Sequence, residues 1–311
     1  MELIRGIHNI LPQHHGCVLT IGNFDGVHRG HAEVINRLVE KAKHLDLPAV
    51  VMTFEPQPQE FFRGENAPAR LSLLRDKVML LDELSIERML CINFNKKFAD
   101  YTAEDFVEQL LVKALGVKYL VVGDDFCFGK QRQGNFNMLR KAGEKFGFAV
   151  VSTQSFVLGD KRVSSTEVRR LLAEGNMEQA RRLLGHPFIL SGKVAHGQKI
   201  GRTIGFPTAN IALKRKVTPV RGVFAVKLYW DNSDIYEGVA NVGFRPTVNG
   251  QVCQLEVHLF DFDGDLYGKT VEVELVAKIR DEQPFGSLDA LKKQIKNDAD
   301  RAKALLGSDA G

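Results

Sequence analysis

Two histidines three residues apart are the strongest chemical signal in this chain: His28 and His31, within Gly22-Asn23-Phe24-Asp25-Gly26-Val27-His28-Arg29-Gly30-His31. Three residues is just under one helical turn, so a helix starting here presents both imidazoles on one side. Glycines at 22, 26 and 30 let backbone come close to a ligand. A helix start also offers free N–H groups and the positive end of the helix dipole, a ready anion site. Two imidazole donors at such a point suit a triphosphate, stabilising charge on the transferred phosphorus and on departing pyrophosphate. Read alone, the pair is also compatible with plain packing or with a metal. For a metal, no third ligand or Glu general base lies nearby, and His-Glu-x-x-His is absent.

Three further groups carry chemistry. In Ser164-Ser165-Thr166-Glu167-Val168-Arg169, hydroxyls at a helix start and an Arg one turn on can grip a phosphate. The same residues would serve as an ordinary N-cap beside a solvated Arg. The stretch His196–Asn210 is dense in glycine and in cationic or hydroxyl side chains, as a phosphate-wrapping loop should be, although a flexible hairpin shares that composition. Within it, Thr208 and Asn210 are hard oxygen ligands at alternate positions, which an extended backbone points the same way. In Leu255-Glu256-Val257-His258-Leu259, apolar and polar residues alternate, so Glu256 and His258 share one strand face. That face is either simply solvated or carries a general base. The closest approach to a P-loop, Gly264–Thr270, has three residues between its glycines and lies between two expected strands, so it is rejected.

The elements that must position these groups read as two patterns. In the first half, short apolar strands (Cys17–Gly22, Ala49–Phe54, Met89–Phe94, Tyr119–Val122, Phe148–Thr153) alternate with helices near Gly30–His44, Leu73–Leu84, Ala103–Leu115 and Phe136–Phe146. Such alternation implies βαβ units and a parallel sheet with ligands beyond the strands' carboxyl ends. Helices near Thr166–Glu174 and Met177–Leu184 close this half, with Gly185 as C-cap and Pro187 forbidding continuation. The strands Gly222–Trp230, Ile235–Val242, Gln254–Phe262 and Val271–Ile279 then follow without helices between them, indicating an antiparallel sheet or small barrel. A last helix runs from Leu288 to Leu306 with Ser287 as N-cap. A boundary is expected near residue 186, giving domains 1–186 and 187–311.

Composition narrows the function classes. At 311 residues two domains are the default, and 44% hydrophobic with 26% charged residues supports a sizeable core. A net charge of +4 and a pI near 8.8 suit anionic small molecules; without a clustered basic stripe they do not indicate nucleic acid. Cys17, Cys91, Cys127 and Cys253 have no short spacing, which makes neither a zinc knuckle nor a disulfide scaffold. Nowhere are there 18 consecutive apolar residues, so no membrane span is expected and the location expected is the cytoplasm. The sequence specifies no oligomeric state.

Taken together, these strings resemble bacterial bifunctional FAD synthetases, which join riboflavin kinase to FMN adenylyltransferase. His28-Arg29-Gly30-His31 is similar to the His-x-Gly-His signature of the nucleotidyltransferase superfamily. The resemblance implies that Gly22, Asn23, Asp25, Gly30, Ser164, Ser165, Thr166 and Arg169 bind ATP phosphates alongside catalytic His28 and His31. It implies adenylyl transfer to FMN without a covalent enzyme intermediate. The loop Thr53–Pro58 and the loop Gly123–Gly129 resemble the flavin side, which implicates Phe54, Pro56, Pro58, Asp124, Asp125 and Phe126. Cys127 stands where many relatives carry Arg, and Val163 where Ile is usual.

In the second half, Gly201–Asn210 resembles the Gly-x-x-x-Gly-Phe-Pro-Thr-Ala-Asn motif of riboflavin kinases. It implies ATP contacts at Lys199, Gly201 and Gly205, Mg²⁺ at Thr208 and Asn210, and Glu256 as general base. Asn241–Thr247 resembles the family's Asn-x-Gly-x-Arg-Pro-Thr loop, with Phe244 where Thr is common; Arg280 resembles the Arg that packs on bound ligand. The implied architecture is an α/β nucleotidyltransferase domain (parallel, Rossmann-like sheet) followed by a six-stranded antiparallel β-barrel with a C-terminal helix. Riboflavin, FMN and ATP are the implied small-molecule partners, with FAD as product. A single-activity adenylyltransferase with a non-catalytic flavin-binding barrel is the alternative. A non-catalytic protein binding flavin or RNA through the barrel is a third.

Overall fold

The computed structural model describes residues 1–153, 157–158, 161–195, 205–213, 215, 217–230, 234–247 and 250–307. By packing, the chain divides into two units: Met1–Pro68 with Ser72–Ser164, and Ala69–Leu71 with Ser165–Gly311. The expected loop residues Lys199 and Gly201 lie outside the described residues.

In the first unit, β1 (Glu2–Arg5), β2 (Cys17–Ile21), β3 (Ala49–Glu55), β4 (Arg88–Asn93), β5 (Val117–Gly123) and β6 (Ala149–Thr153) form one parallel sheet. Its order is β1-β4-β3-β2-β5-β6. The connecting helices are α1 (Arg29–Leu45), α2 (Pro58–Arg63), α3 (Leu74–Glu83), α4 (Lys96–Ala99), α5 (Ala103–Asp105) and α6 (Phe136–Phe146). Helix α5 runs on as a π-helical stretch, Phe106–Ala114. A small ladder of β7 (Val157–Leu158) and β8 (Lys161–Arg162) ends the unit.

All five residues of β2 are buried because both sheet faces are covered. Its side chains alternate between two cores: Cys17, Leu19 and Ile21 join one with Val50, Met52 and Phe54 of β3, and Val18 joins the other with Val51. From β2 the chain builds outward through β3 and β4, then returns to build β5 and β6 on the opposite side. Strand order therefore reverses between β2 and β5, and the loop leaving β2 lies at the switch point where such sheets bind ligands.

The second unit begins with α7 (Ser165–Glu174) and α8 (Met177–Leu184), capped by Gly185 in the left-handed conformation (φ 85°). Strands β9 (Ile189–Ala195), β10 (Ala209–Ala212), β11 (Gly222–Trp230), β12 (Asp234–Thr247), β13 (Gly250–Leu259) and β14 (Thr270–Arg280) close into a barrel, followed by α9 (Leu288–Gly307). The barrel order is β10-β13-β12-β11-β14-β9, with β9 pairing β10 to complete the ring. Strand β11 shows how the layers form. Phe224, Val226 and Leu228 fill the interior, while Val223 and Ala225 face out and pack with Ala299, Ala302 and Leu306 of α9. Apolar faces of α7 and α8 (Val168, Leu171, Leu172, Ala180, Leu184) join the barrel's interior cluster. This is why packing groups these helices with the barrel.

The parallel α/β domain, the antiparallel barrel and the C-terminal helix agree with the expected fold class. Several details differ from the sequence pattern. Strand β1 was not expected; it has only four residues, with Glu2 and Arg5 at its ends, so it lacks an apolar run. Strand β13 ends at Leu259, short of the expected Phe262, where Asp261 turns the chain with φ 50°. Strand β12 runs five residues past the expected Val242, to Thr247.

Candidate active sites

The loop after β2 holds a strained backbone. Phe24 and Val27 have φ of 45° and 38°, and Gly26 has φ 82°. A left-handed β-branched residue costs about 1–3 kcal/mol and persists only where its surroundings hold it. Here Asp25, 3% exposed, accepts the Ser72 N–H at 3.1 Å, and Ser72 Oγ accepts the Gly26 N–H at 3.0 Å. Thr53 Oγ1 donates to the Asn23 carbonyl at 3.4 Å. Asp25 therefore anchors the loop from inside.

His28 ends the loop as the N-cap of α1, its Nδ1 accepting the His31 N–H at 3.3 Å. That bond occupies the Nδ1 lone pair, so the neutral ring carries its proton on Nε2, where it can be donated. The two imidazoles stack, centroids 3.7 Å apart and planes within 13°. Gly30 makes room for them: a Cβ there would stand 3.2 Å from the His28 ring and 3.4 Å from the Val163 carbonyl. The structure thus brings His28, His31, Gly22, Asn23, Asp25 and Gly30 into one loop-and-helix start, as the spacing implied.

Burial holds the His31 pKa well below its ordinary value, with His28 and then Lys77 adding to the effect. Lys77 is 1% exposed, with Nζ 3.4 Å from Thr53 Oγ1. Sequence reasoning missed this lysine because α3 reads as a plain amphipathic helix. Its cue was a cation among the apolar positions Leu74, Val78 and Leu81. A histidine with a depressed folded pKa adds stability that is fully present above about pH 6.5 and lost as pH falls toward the folded value. His31→Gln, which takes up no proton, should narrow the fall in Tm between about pH 7.5 and pH 5.5. Parallel Tm curves for the two proteins would remove His31 as the cause.

The expected flavin-side residues lie in two loops, each beside aromatic rings. Phe54 is buried and meets Phe94 at 5.8 Å and Phe98 at 6.0 Å. Phe61 and Phe62 of α2 both pack edge-on against Phe94, at 5.5 and 5.7 Å, and are 40% and 68% exposed. Pro56 is exposed and Pro58 opens α2. Between them Gln57 is 7% exposed, and its side-chain NH₂ has no hydrogen-bond partner among the described residues. In the other loop Asp124 accepts from Ser152 Oγ, Asp125 is exposed, and Phe126 stacks on Phe128 at 5.7 Å. Cys127 is half-buried, whereas Cys17, Cys91 and Cys253 are buried. Phe61, Phe62 and Gln57 were not among the expected residues; the run Pro58-Gln59-Glu60-Phe61-Phe62 was the available signal.

Ser164 ends the first unit, while Ser165, Thr166 and Arg169 open α7 in the second. Arg169 donates from Nε to the Ala69 carbonyl at 2.6 Å.

On the barrel, strand register sets the second group. Asn210 of β10 lies directly opposite Glu256 of β13, and Glu256 lies directly opposite Asn241 of β12. Directly opposite residues share a face with Cβ atoms about 5 Å apart. The neighbours Leu255 and Val257 are fully buried inside, so this face is the outer one, and Glu256 is exposed on it. Asn210 Oδ1 accepts from Gln254 Nε2 at 2.5 Å, and Thr208 precedes the strand. His258, two residues along the same face, is bonded through Nδ1 to the Pro207 carbonyl at 2.9 Å, and Phe206 packs against its ring. The Phe-Pro-Thr-Ala-Asn segment is thereby tied to the Glu256 strand. Gly205 has φ 86°. A cavity of about 650 Å³ opens beside it, lined by Phe206, His258, Phe260, Phe262, Lys296 and Lys303 among others.

Arg280 forks onto Asp298 of α9, with N···O distances of 2.8–3.1 Å, and its guanidinium lies 5.6 Å from the Phe285 ring centre. This pairing staples β14 to α9. Among the described residues no three His, Cys, Asp or Glu gather as a metal site, and no helix is long and apolar enough to cross a membrane.

Residues 10–167 match the sequence model of a family described as FAD synthetase, and residues 184–306 match one described as riboflavin kinase. The bifunctional riboflavin kinase/FMN adenylyltransferase of Escherichia coli K12 is 53% identical over 309 residues, 99% of this chain and 98% of that protein. The chain belongs to the bifunctional riboflavin kinase/FMN adenylyltransferase family. The Haemophilus influenzae member is 52% identical over 99% of this chain and 100% of its own, and the Pseudomonas fluorescens member is 49% identical over 100% and 99%. A solved structure described as a macrolide-efflux protein from Streptococcus pneumoniae superposes with a TM-score of 0.81 at 32% identity, covering 96% of this chain and 97% of that one. Both halves of the chain thus carry a family match, and riboflavin, FMN and ATP are the substrates that membership brings. The stretch between the two matches, 168–183, consists almost wholly of α7 and α8.

Proposed function

We propose that this chain converts riboflavin to FMN on the barrel and FMN to FAD in the parallel-sheet unit, with ATP as donor in both steps and both in the cytoplasm, where ATP is supplied. The observation that carries this reading is that each unit holds the donor set its reaction needs. His28 stands at a helix start beside His31, its Nδ1 accepting the His31 N–H, and Glu256 stands opposite Asn210 on the barrel.

The two nucleophiles differ. The phosphate of FMN already carries about −1.5 to −2 charge at pH 7 and needs no base. Its oxygen attacks the α-phosphorus of ATP, and the bond to pyrophosphate breaks. The site's task is to hold the triphosphate and stabilise accumulating charge, which His28, His31, Gly22, Asn23 and Gly30 do at the dipole end of α1. Asp25 contributes by fixing the loop. The exposed rings of Phe61 and Phe62, with Phe126, offer a stacking surface for the flavin, bordered by Pro56, Pro58, Asp124 and Asp125; Gln57 has a donor left over for a flavin carbonyl. Phe62→Ala should raise the KM for FMN about tenfold with little change in the KM for riboflavin. Equal effects on both would move the flavin site elsewhere.

The hydroxyl of riboflavin, in contrast, must lose a proton. Glu256 accepts it while the oxygen attacks the γ-phosphorus, and ADP leaves. Thr208 and Asn210 are hard oxygen donors, and Asn210 Oδ1 keeps a second lone pair beside its bond to Gln254, so the pair fits Mg²⁺. Bound there with ATP phosphates, Mg²⁺ would neutralise charge on the transferred group. Gly205, with φ 86°, lets the chain turn close beside the phosphates, and the 650 Å³ cavity beside Phe206 accommodates the rest of the nucleotide.

The test is a time course with riboflavin, ATP and Mg²⁺, separating riboflavin, FMN and FAD by chromatography. FMN that rises and then gives way to FAD supports both sites. Turnover of added FMN but never of riboflavin would leave an adenylyltransferase with a binding barrel.

A further inference from the structure

One polar side chain beside Glu256 is held in place with its acceptor unused. Asn241 Oδ1 is buried and has no hydrogen-bond partner among the described residues. A buried, unpaired acceptor is costly and uncommon in a native fold. The amide cannot simply turn to relieve it, because its Nδ2 donates to Glu282 Oε1 at 3.2 Å, and Glu282 Oε2 is held by Arg221 Nε at 2.7 Å. The sequence also reserves space for that carboxylate: a Cβ on Gly243 would lie 2.2 Å from Glu282 Oε1. The Asn-x-Gly pattern at 241–243 therefore reads as an amide, two residues along the same strand face from the gap that admits its clamp.

The position of this acceptor selects what can pair with it. Asn210 and Asn241 flank Glu256 from opposite sides, one strand away on each. Neighbouring strands are about 4.8 Å apart, so the two asparagines are roughly 10 Å from one another across the face. A cation held by Thr208 and Asn210 at about 2.1 Å is out of reach of Asn241. A hydroxyl-bearing chain whose end lies at Glu256 and which runs away from the phosphate side passes over Asn241.

We propose that Asn241 Oδ1 accepts a hydrogen bond from a hydroxyl of the substrate's polyol chain, the one next to the phosphorylated end, and that Glu282 orients the amide to do so. This rests on the reading of Glu256 as the base of the kinase reaction. Asn241 is thus a specificity residue: an analogue lacking that hydroxyl leaves a buried acceptor unpaired, the arrangement that discriminates most strongly.

The test is a two-by-two comparison on the full-length chain, wild type and Asn241→Ala, each with riboflavin and with its 4′-deoxy analogue, reading kcat/KM for phosphorylation. Wild type should prefer riboflavin by about tenfold or more, and Asn241→Ala should lose about tenfold on riboflavin yet discriminate little between the two. The KM for ATP should stay unchanged, which a general collapse of the barrel would not allow. If Asn241→Ala does not fold, Asn241→Ser takes its place. Undiminished discrimination in the variant, or none in the wild type, overturns the proposal. Glu256→Gln run in parallel separates the failures: if that variant phosphorylates riboflavin normally, the base assignment falls as well.

Discussion

His28→Ala should lower FAD formation from FMN about 100- to 1000-fold while riboflavin phosphorylation continues, the loss typical of one removed transition-state donor. Two functions of His28 must be separated for that result to mean anything. The residue caps α1 through Nδ1, and losing an N-cap costs about 0.5–2 kcal/mol by itself. His28→Asn preserves the cap, since asparagine is among the best residues there, but its short amide brings no donor to the Nε2 position. The kinetic loss should therefore persist in His28→Asn while Tm recovers. Steady-state rates with added FMN, beside a thermal melt, decide the matter. Activity that returns with the cap would make His28 a structural residue, and the donor role would pass to His31 or Lys77.

How much of this was legible beforehand depended on whether chemistry and geometry were written in contiguous residues. The β2–α1 site was legible because strand, turn glycines and both histidines lie within fifteen residues, Cys17 to His31, and their local order dictates their placement. Lys77 was not legible: it comes from a helix 46 residues past His31, and only the β3 contact through Thr53 brings it there. Asp25 shows a different limit. The family resemblance implied a ligand contact there, whereas its burial and its bond from the Ser72 N–H, which anchor the loop, depend on a residue 47 positions away. Arg280 is similar, since its partner Asp298 comes from a helix that could have packed elsewhere as far as the sequence pattern shows.

The barrel was legible as alternation, which revealed that Glu256 and His258 share a face. The row Asn210–Glu256–Asn241 was not, because cross-strand register is a property of closure and no periodicity within one strand contains it. The same reason hid β10 itself, a four-residue strand whose identity comes from pairing with β9 and β13.

That register makes the second large effect specific. Glu256→Gln should reduce FMN formation from riboflavin by about 100- to 10,000-fold, within the range for a removed general base, and leave conversion of added FMN to FAD unchanged. Glutamine keeps the size of the side chain and one acceptor oxygen, so a loss on this scale reports proton transfer and not packing. Glu256 is exposed on the outer face of the barrel and glutamine is nearly isosteric with it, so Tm should shift little. The contrast with the other site follows from the nucleophiles. An alcohol must be deprotonated as it attacks and a phosphate need not be, so only one of the two reactions should respond to removing a base. Rates for both steps, measured on the same preparation, provide the check. A fall in both would mean that Glu256 supports the fold of the whole chain, and a fall in neither would leave the hydroxyl's proton to another group on the barrel.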